Sequence, residues 1–398
     1  MKEKKFNILY LTALSIYINY FIHGIGVSIL AQNTTFLQAK WGTTHSAILY
    51  IISAMGIGRL LVLPISGVIS DKFGRRITIL SGMIIYMLFF GLICIAPNTH
   101  IAFLAAILGG IANSFFDTGC IPAVLEIFSA STGFASILTK LFISIGQYVL
   151  PIIVGYLAGN NMYFGYSFIL CIALLLINGA ILSFVPFPKV ENKKEEKNNG
   201  VVEKEVKANF FIEGIAIILI GFTSTATFQI FLNISKSFAL TVLNMSETMA
   251  GKVQSYYALG SILAVIITAI LVKKWIKPVN FLIIYPLISS VTLFLMHFIR
   301  SQEFCIIGGF IIGFTAAGGV LQLAVATMID LFKGSKEKMT SMVMLASSIG
   351  TFSTTALAGV ITNRFGIEYT LILAGTITAI GVLLGILVNY RYYLVLKK

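Results

Sequence analysis

Charged residues are scarce in this chain of 398 residues, at 11% of the total, whereas 58% of its residues are hydrophobic. An ordinary globular protein carries about 25% charged residues, and polar groups keep its surface in water. A soluble fold could not hide such a large share of apolar side chains. The composition therefore excludes a soluble protein and indicates a polytopic membrane protein.

Cysteine and proline are also few, at 4 and 8 residues, and the 35 glycines follow no period of three. These counts exclude disulfide-rich scaffolds and collagen-like chains. The sequence contains no GxxxxGK(S/T), HExxH or CxxC motif, so it predicts neither nucleotide hydrolysis nor a zinc or dithiol centre. We expect a protein that is not an enzyme and that needs no cofactor or metal.

Twelve apolar runs reach the length of about 20 residues that a membrane-spanning helix needs. Between the sixth and seventh runs, residues 188–208 carry six lysines and five glutamates without periodicity, which is typical of a solvated linker. The predicted fold is therefore an all-α membrane protein with two pseudo-symmetric six-helix bundles, at residues 1–187 and 209–398. The runs lie near 6–31, 46–70, 77–97, 101–128, 133–159, 162–187, 209–235, 248–272, 279–299, 304–332, 339–362 and 368–390.

The lysines and arginines are distributed unevenly between the two sides of this arrangement. With the N-terminus inside, the cytoplasmic segments hold 21 of the 28 basic residues, the outer loops hold five, and two lie within spans. This bias and the even number of spans predict that both termini are cytoplasmic. The net charge of +13 then reflects orientation in the cell membrane, and we expect lipid contact but no nucleic-acid partner.

The two halves of the chain resemble each other at one ungapped offset of 204 residues. The pairs include Gly56 with Gly260, Glu126 with Asp330, and the Ser-Ile-Gly triplets at 144–146 and 348–350. A parallel duplication is the simplest explanation of a single register that also pairs two carboxylates.

The segment between spans 2 and 3 reads GVISDKFGRR over residues 67–76. Gly67 would allow a neighbouring helix to approach, Gly74 would permit chain reversal, and Asp71 would cap a helix end beside three cations. A loop that serves only to orient the protein would explain the cations, but neither the glycines nor Asp71.

This segment resembles the GxxxD(R/K)xGRR loop signature of the major facilitator superfamily, and with the spans, the linker and the duplication the resemblance covers the whole chain. It implies two six-helix bundles that rock about a central site and expose it alternately to each face. It also implies a cytoplasmic gate, in which the aspartate meets a helix end of the other half and an arginine contacts an acid on span 4. The residues that match this gate are Gly67, Asp71, Gly74, Arg75, Arg76 and Glu126.

Three positions depart from the family's patterns. The equivalent loop of the second half, residues 271–278, lacks the aspartate and both glycines. Ala106 stands where the family commonly has an intramembrane arginine, so a proton relay through that residue does not carry over. Leu150 precedes Pro151 in place of the glycine that drug antiporters carry on span 5, which weakens the indication of drug export.

Three ionisable residues, Arg59, Asp117 and Lys140, fall inside the predicted spans. A charge at this depth costs at least about 2.5 kcal/mol unless it is paired or hydrated, so each is a candidate functional residue. We expect a cluster at the cavity wall, with Asp117 as a protonatable switch and a cation free to hold an anionic group. The alternative is an Arg59–Asp117 pair that only locks the N-terminal bundle.

Polar residues on other spans extend this candidate site. Lys140, Ser144, Gln147 and Pro151 form one stripe on span 5, with a second stripe at the offset on span 11, and we expect the two to face each other along a wet path. The resemblance implies that spans 1, 4, 7 and 10 line the cavity. The candidate substrate contacts are Arg59, Lys140, Tyr20, His23, Gln147, Gln229, Asn233, Gln322 and Tyr257, the last of which could instead fill space.

These features predict a monomeric secondary active transporter that moves a small polar or anionic solute by alternating access with proton coupling. Two alternatives stay open. A proton-driven multidrug exporter would have a larger, more apolar cavity, and a transporter-like sensor would bind a solute without moving it.

Overall fold

The computed structural model describes residues 2–129, 132–187, 208–332 and 336–396, and every regular element in these ranges is helical. Eleven helices among the described residues are long and apolar enough to cross a membrane, and helix α1 precedes them. The predicted linker lies outside the described residues except for Ala208.

The long helices follow one another with short connections, and we number them by span. The tenth span is broken into two helical segments, α10a and α10b, which together count as one of the twelve. They are α1 Lys2–Gly26, α2 His45–Phe73, α3 Arg75–Ile95, α4 Thr99–Ile127, α5 Thr132–Gly159, α6 Tyr166–Phe184, α7 Ile215–Thr241, α8 Glu247–Lys274, α9 Pro278–Ile299, α10a Gln302–Thr315, α10b Val320–Leu331, α11 Lys336–Phe365 and α12 Tyr369–Leu396.

The helices alternate in direction, so their ends fall on two faces. We call the face that holds the start of α1, the end of α12 and the α2–α3 loop the terminal face, and the opposite one the distal face. Four helices that begin at the distal face, α2, α4, α8 and α10a, each start after a Thr, Asn or Ser whose side chain accepts a hydrogen bond from a backbone amide of the first turn. Such caps satisfy amides that the helix itself leaves without partners.

Among the glycine contacts between helices, one is equivalent in the two halves: α2 with α4, and α8 with α10a. A Cβ atom on Gly110 of α4 would overlap the carbonyl oxygen of Met55 on α2, and one on Gly58 would overlap that of Ile107. In the second half, Gly313 of α10a and Gly260 of α8 approach the partner backbone in the same way. The duplicated sequence therefore builds the same close helix pair twice.

The two halves meet through α2 with α11 and through α5 with α8. Near the distal face, Gly359 of α11 lies against Ser46 at the start of α2. Halfway along, Ser144 of α5 donates to Ser261 of α8 at 3.1 Å. The expectation that the stripes on spans 5 and 11 face each other along a wet path is therefore wrong, because each packs against a different helix of the opposite half. Ser348 and Thr351 donate to carbonyls of their own helix instead.

Two short helices, Ile29–Gln32 and Thr34–Trp41, lie between α1 and α2 at the distal face. Lys40 donates to the carbonyls of Ile93 and Cys94 at 3.1 and 2.5 Å, which are among the last in α3. Trp41 donates to the carbonyl of Ala96 at 3.0 Å. A lysine at a helix C-terminus satisfies carbonyls that have no helical partner, so these bonds fasten the second short helix to α3.

A fully buried carboxylate holds the start of α7 at the terminal face. Glu213 lies in a π-helical turn, Phe210–Gly214, and its Oε1 accepts from Arg391 of α12 at 2.8 Å. Its Oε2 accepts from the backbone amide of Asn209 at 3.0 Å. The pair therefore ties the chain's entry into the second half to its last helix.

Candidate functional site

Arg59 of α2 and Asp117 of α4 form an ion pair inside the membrane-spanning region, with Nη2 2.8 Å from Oδ2. Their side chains remain 24% and 21% exposed, so the pair is not fully sealed within the bundle. The hydroxyl of Ser114 donates to the carbonyl of Arg59 at 3.1 Å. The close α2–α4 packing thus brings the predicted pair together.

Helix α1 adds Tyr20 and His23 to this pair. Tyr20 is buried and donates to the carbonyl of Phe116 on α4 at 3.4 Å. His23 lies close enough to Arg59, Asp117 and Lys140 for all three charges to act on it, and its buried Nδ1 has no hydrogen-bond partner among the described residues. The predicted residues of spans 1, 2 and 4 therefore meet in one place.

Lys140 extends the group across the boundary between the halves. Its Nζ lies 6.0 Å from the centre of the Phe228 ring on α7, a cation–π contact between α5 of the first half and the second half. We call Tyr20, His23, Arg59, Asp117 and Lys140 the charge cluster. With His23 neutral it contains two cations and one carboxylate, and it therefore has the net charge to attract an anion.

The predicted contacts from the second half occupy different environments. Asn233 is buried and donates to Thr355 at 3.4 Å, while its Oδ1 has no partner among the described residues. Gln229 is half-buried, and Gln322 is exposed just after the break in α10, where Gly319 has φ +123°. These three positions remain candidate contacts.

Two other candidates lie in packed interfaces. Tyr257 is fully buried and stacks on Phe231, with ring centroids 5.8 Å apart, which agrees with the space-filling alternative that the sequence left open. Gln147 is buried against α8, where its backbone carbonyl accepts from Gln254 at 3.2 Å. The backbone of Gln147 therefore belongs to the contact between the halves.

The predicted gate residues at the terminal face assemble around Arg75. This arginine donates to Ser70 Oγ at 2.7 Å, to Asp71 at 3.0 Å and to Glu126 at 3.3 Å, so it joins α2, α3 and α4. Gly74 has φ +88°, a conformation that favours glycine, as predicted for the reversal. The side chain of Asp71 is 77% exposed, which differs from the expected contact with a helix end of the other half.

The other two gate residues, Arg76 and Gly67, lie in different surroundings. Arg76 donates to the carbonyl of Val185 and lies over the ring of Phe187, 5.3 Å from its centre, which holds the end of α6. No described atom lies within 4 Å of a Cβ built on Gly67. The expected helix approach at Gly67 is therefore wrong for this conformation, and the close approach occurs at Gly58 and Gly110 instead.

A polar network closes the distal face between the halves. Lys236 of α7, only 3% exposed, donates to the carbonyl of Gln32 in the first half at 2.6 Å and pairs with Glu247 of α8 at 2.7 Å. The Gln32 side chain donates to Gln254 of α8 at 2.5 Å. We call Gln32, Lys236, Glu247 and Gln254 the distal lock.

The distal lock was not predicted, because the seventh apolar run, 209–235, ends just before Lys236 and leaves that residue in an outer loop. The chain stays helical to Thr241, which carries the lysine into the contact between the halves. One signal was present in the sequence: Gln32 and Lys236 are separated by 204 residues, the offset of the duplication, so they occupy equivalent positions near the axis that relates the halves.

A family model for the Major Facilitator Superfamily matches residues 16–333 and 217–393 of the chain. The chain belongs to the major facilitator superfamily. A solved superfamily fold, that of a D-xylose-proton symporter, matches with a TM-score of 0.75 at 13% identity over 95% of this chain and 96% of that one. The predicted all-α fold of twelve helices is thereby confirmed.

Curated superfamily members align with the chain over most of its length. Inner membrane transport protein YdiN of Escherichia coli (strain K12) is 37% identical, over 96% of this chain and 90% of that protein. The uncharacterized MFS-type transporter YfkL of Bacillus subtilis (strain 168) is 36% identical, over 96% of both chains. Multidrug resistance protein 1 of B. subtilis is 26% identical, over 92% and 94%. The protein is therefore a multi-pass membrane transporter for small molecules and, as predicted, not an enzyme.

Proposed function

We propose that this superfamily member is a secondary active transporter that moves a small anionic solute by alternating access, coupled to protons. The observation that carries the proposal is the charge cluster, where two cations and one carboxylate lie beside the other half of the protein. An uncompensated positive charge inside the membrane is costly, and an anionic solute would offset that cost. A carboxylate-bearing solute is the chemical class that fits best.

We place the terminal face in the cytoplasm, because the positive-inside bias of the sequence puts most basic residues there. The structure would then be the inward-facing conformation, with the distal lock closed on the outer side and the side chain of Asp71 exposed to the cytoplasm. The proposed bundles are residues 1–187 and 209–398, joined by the cytoplasmic linker 188–208. A monomer in the cell membrane is sufficient for this mechanism.

Proton coupling is assigned to Asp117. While Asp117 is ionised it neutralises Arg59 at 2.8 Å, and an anion must compete with it. Protonation of Asp117 would remove that competition and leave the guanidinium to bind the solute through paired hydrogen bonds. Proton and anion would then bind together and be released together.

A proton-driven drug exporter is the second candidate, and the similarity to Multidrug resistance protein 1 favours it. Leu150 stands where drug antiporters of the superfamily have a glycine before Pro151, which argues against it. A cluster that contains two cations would also repel lipophilic cations.

Flux into proteoliposomes under an imposed pH gradient tests these proposals. The panel includes carboxylates, sugars, amino acids and lipophilic cations. We expect proton-driven carboxylate flux, which falls at least tenfold in Arg59→Gln, Lys140→Gln and Asp117→Asn, whereas Lys252→Gln, at an exposed position of α8, keeps the wild-type rate. Proton-driven efflux of lipophilic cations would establish the exporter, and carboxylate binding without flux would establish a sensor.

A further inference from the structure

Residues 273–277, which join α8 to α9 at the terminal face, contain three lysines, at positions 273, 274 and 277. We call this segment the α8–α9 connection. The sequence has no aspartate or glutamate between Glu247 and Glu303, so no acidic residue lies near the lysines along the chain. Lys277 is exposed and takes part in none of the ion pairs among the described residues. The connection therefore carries positive charge that its own segment does not neutralise.

Both arginines of the corresponding loop in the first half are bound within the protein. Arg75 pairs with Asp71 and Glu126, and Arg76 donates to the carbonyl of Val185. The second half has replaced this internal use of cations with lysines that have no such partners in the segment. The difference indicates that the α8–α9 connection meets an anion from outside the chain.

The described side chains at the terminal face of the second half include two carboxylates. Glu213 is already paired with Arg391 at 2.8 Å. Asp330 lies close enough to Tyr392 for its charge to act on the phenol, but it forms no ion pair with another described residue. One carboxylate against three lysines leaves this surface positive.

Two tyrosines of α12 position Lys277. Its Nζ lies 4.9 Å from the ring centre of Tyr393 and 5.8 Å from that of Tyr392, and both distances are typical of cation–π contacts. The hydroxyl of Tyr393 donates to Oδ1 of Asn280 at 3.2 Å, and Asn389 donates to the same oxygen at 2.7 Å. The aromatic rings therefore hold the ammonium group in place without neutralising its charge.

The helices beside the connection present apolar surfaces to the lipid. Trp275, within the connection, is 76% exposed. Tryptophan and tyrosine at the ends of spans are typical of the membrane–water interface, so the lysines lie at the depth of the lipid headgroups. Exposed apolar side chains recur at helical spacing on α9, at Ile284, Leu287 and Val291, and on α12, at Leu383, Leu387 and Tyr390.

We propose that the α8–α9 connection and the adjoining end of α12 bind the headgroup of an anionic phospholipid. Basic segments beside a span attract the anionic lipids of a leaflet, and Lys277 is already held where a phosphate can reach it. The exposed indole of Trp275 and the apolar stripes of α9 and α12 fit acyl chains, which a soluble phosphate lacks. The site is separate from the charge cluster and does not depend on which solute is transported.

The chain has two tryptophans, Trp41 and Trp275, which allows a fluorescence test in the full chain. Trp41→Phe leaves Trp275 as the reporter, in vesicles that contain equal fractions of either dibrominated phosphatidylglycerol or dibrominated phosphatidylcholine. We expect phosphatidylglycerol to quench with about fivefold higher apparent affinity. Trp275→Phe is the matched control, because it reports on Trp41 at the distal face, where the two lipids should quench equally. The difference between wild type and Trp275→Phe isolates the same indole if Trp41→Phe folds poorly.

Lysine variants in the same background test which charges bind the headgroup. Lys277→Gln should lower the preference for phosphatidylglycerol by about twofold, and its combination with Lys273→Gln and Lys274→Gln should abolish it. Lys72→Gln removes one cation from the loop of the first half on the same face and should keep the preference, as should Asp117→Asn. Soluble glycerol phosphate at millimolar concentration should not relieve the quenching.

Equal quenching of Trp275 by the two lipids would overturn the proposal, and so would an undiminished preference in the triple lysine variant. Relief of quenching by glycerol phosphate would assign the site to a soluble phosphate instead. The same preference at Trp41, or an equal loss in Lys72→Gln, would show a general attraction of the protein for anionic lipid and no local site. Loss of the preference in Asp117→Asn would contradict the separation from the charge cluster.

Discussion

Lys236 and Gln32 occupy equivalent positions in the two halves, and the ammonium group of Lys236 donates to the backbone carbonyl oxygen of Gln32 at 2.6 Å. The lysine is almost completely buried and its only carboxylate among the described ion pairs is Glu247. The Lys236–Glu247 ion pair lies within the second half, whereas the hydrogen bonds that join Gln32 to Lys236 and to Gln254 cross to the first half and fix the relative position of the two. The distal lock therefore holds the distal face closed in this conformation.

Replacing Lys236 with Met should open the distal face. The variant loses both the bond to Gln32 and the counter-charge of Glu247, so a closed interface would hold an unpaired carboxylate. Spin labels at Asn160 and Asn244, in distal loops of opposite halves, should show a longer distance by double electron–electron resonance in a background without native cysteines. Lys252→Met is the control, and an unchanged distance distribution in Lys236→Met would contradict the assignment.

The Arg59–Asp117 pair can be tested for a role beyond packing. Asp117→Leu leaves the guanidinium without a partner and should destabilise the protein by about 1–3 kcal/mol, less than the about 3–5 kcal/mol of a fully buried pair because both side chains are partly exposed. Arg59→Leu combined with Asp117→Leu should recover most of that loss, measured as the apparent melting temperature.

Transport should be lost in both the single and the double variant. If the double variant regained both stability and proton-driven flux, the pair would serve only to hold the bundle together, which is the alternative that the sequence left open.

Backbone contact between α2 and α4 predicts a steric effect at Gly110. Gly110→Ala places a methyl group against the carbonyl of Met55 and should cost about 1–3 kcal/mol through overpacking. Gly67→Ala meets open space and should leave the melting temperature unchanged or slightly raised. Equal melting temperatures for the two variants would show that α2 and α4 are further apart than described.

For transport, we predict that the planar guanidinium group of Arg75 matters more than its positive charge. Arg75→Lys keeps the cation but cannot reach Ser70, Asp71 and Glu126 together, because an ammonium group lacks the planar array of five donors. Flux should fall about tenfold while the folded yield stays normal. Arg364→Lys, at an exposed position, should transport like the wild type, and so would Arg75→Lys if charge alone were sufficient.

The sequence predicted the helices well because apolar runs of spanning length leave few alternatives in a bilayer. It also identified Arg59, Asp117 and the loop at Asp71 as candidate functional residues. Charged residues within apolar spans, and several charges and glycines within ten residues, are easy to recognise in a sequence that is otherwise apolar. It did not identify Lys236 as buried, because a lysine near a span end is usually solvated. Pairings such as Ser144 with Ser261 depend on how the halves pack, and local periodicity contains no information about that.

The glycine contacts at Gly58 and Gly110, repeated at Gly260 and Gly313, leave no side chain between the paired backbones. Close-packed contacts of this kind have almost no compressibility. The two helices of each pair should therefore move together as one rigid body. A displacement of α4 at the membrane centre would then move both ends of α2 as well. Two pairs of neighbouring helices would thus convert a small local displacement into motion of an entire half.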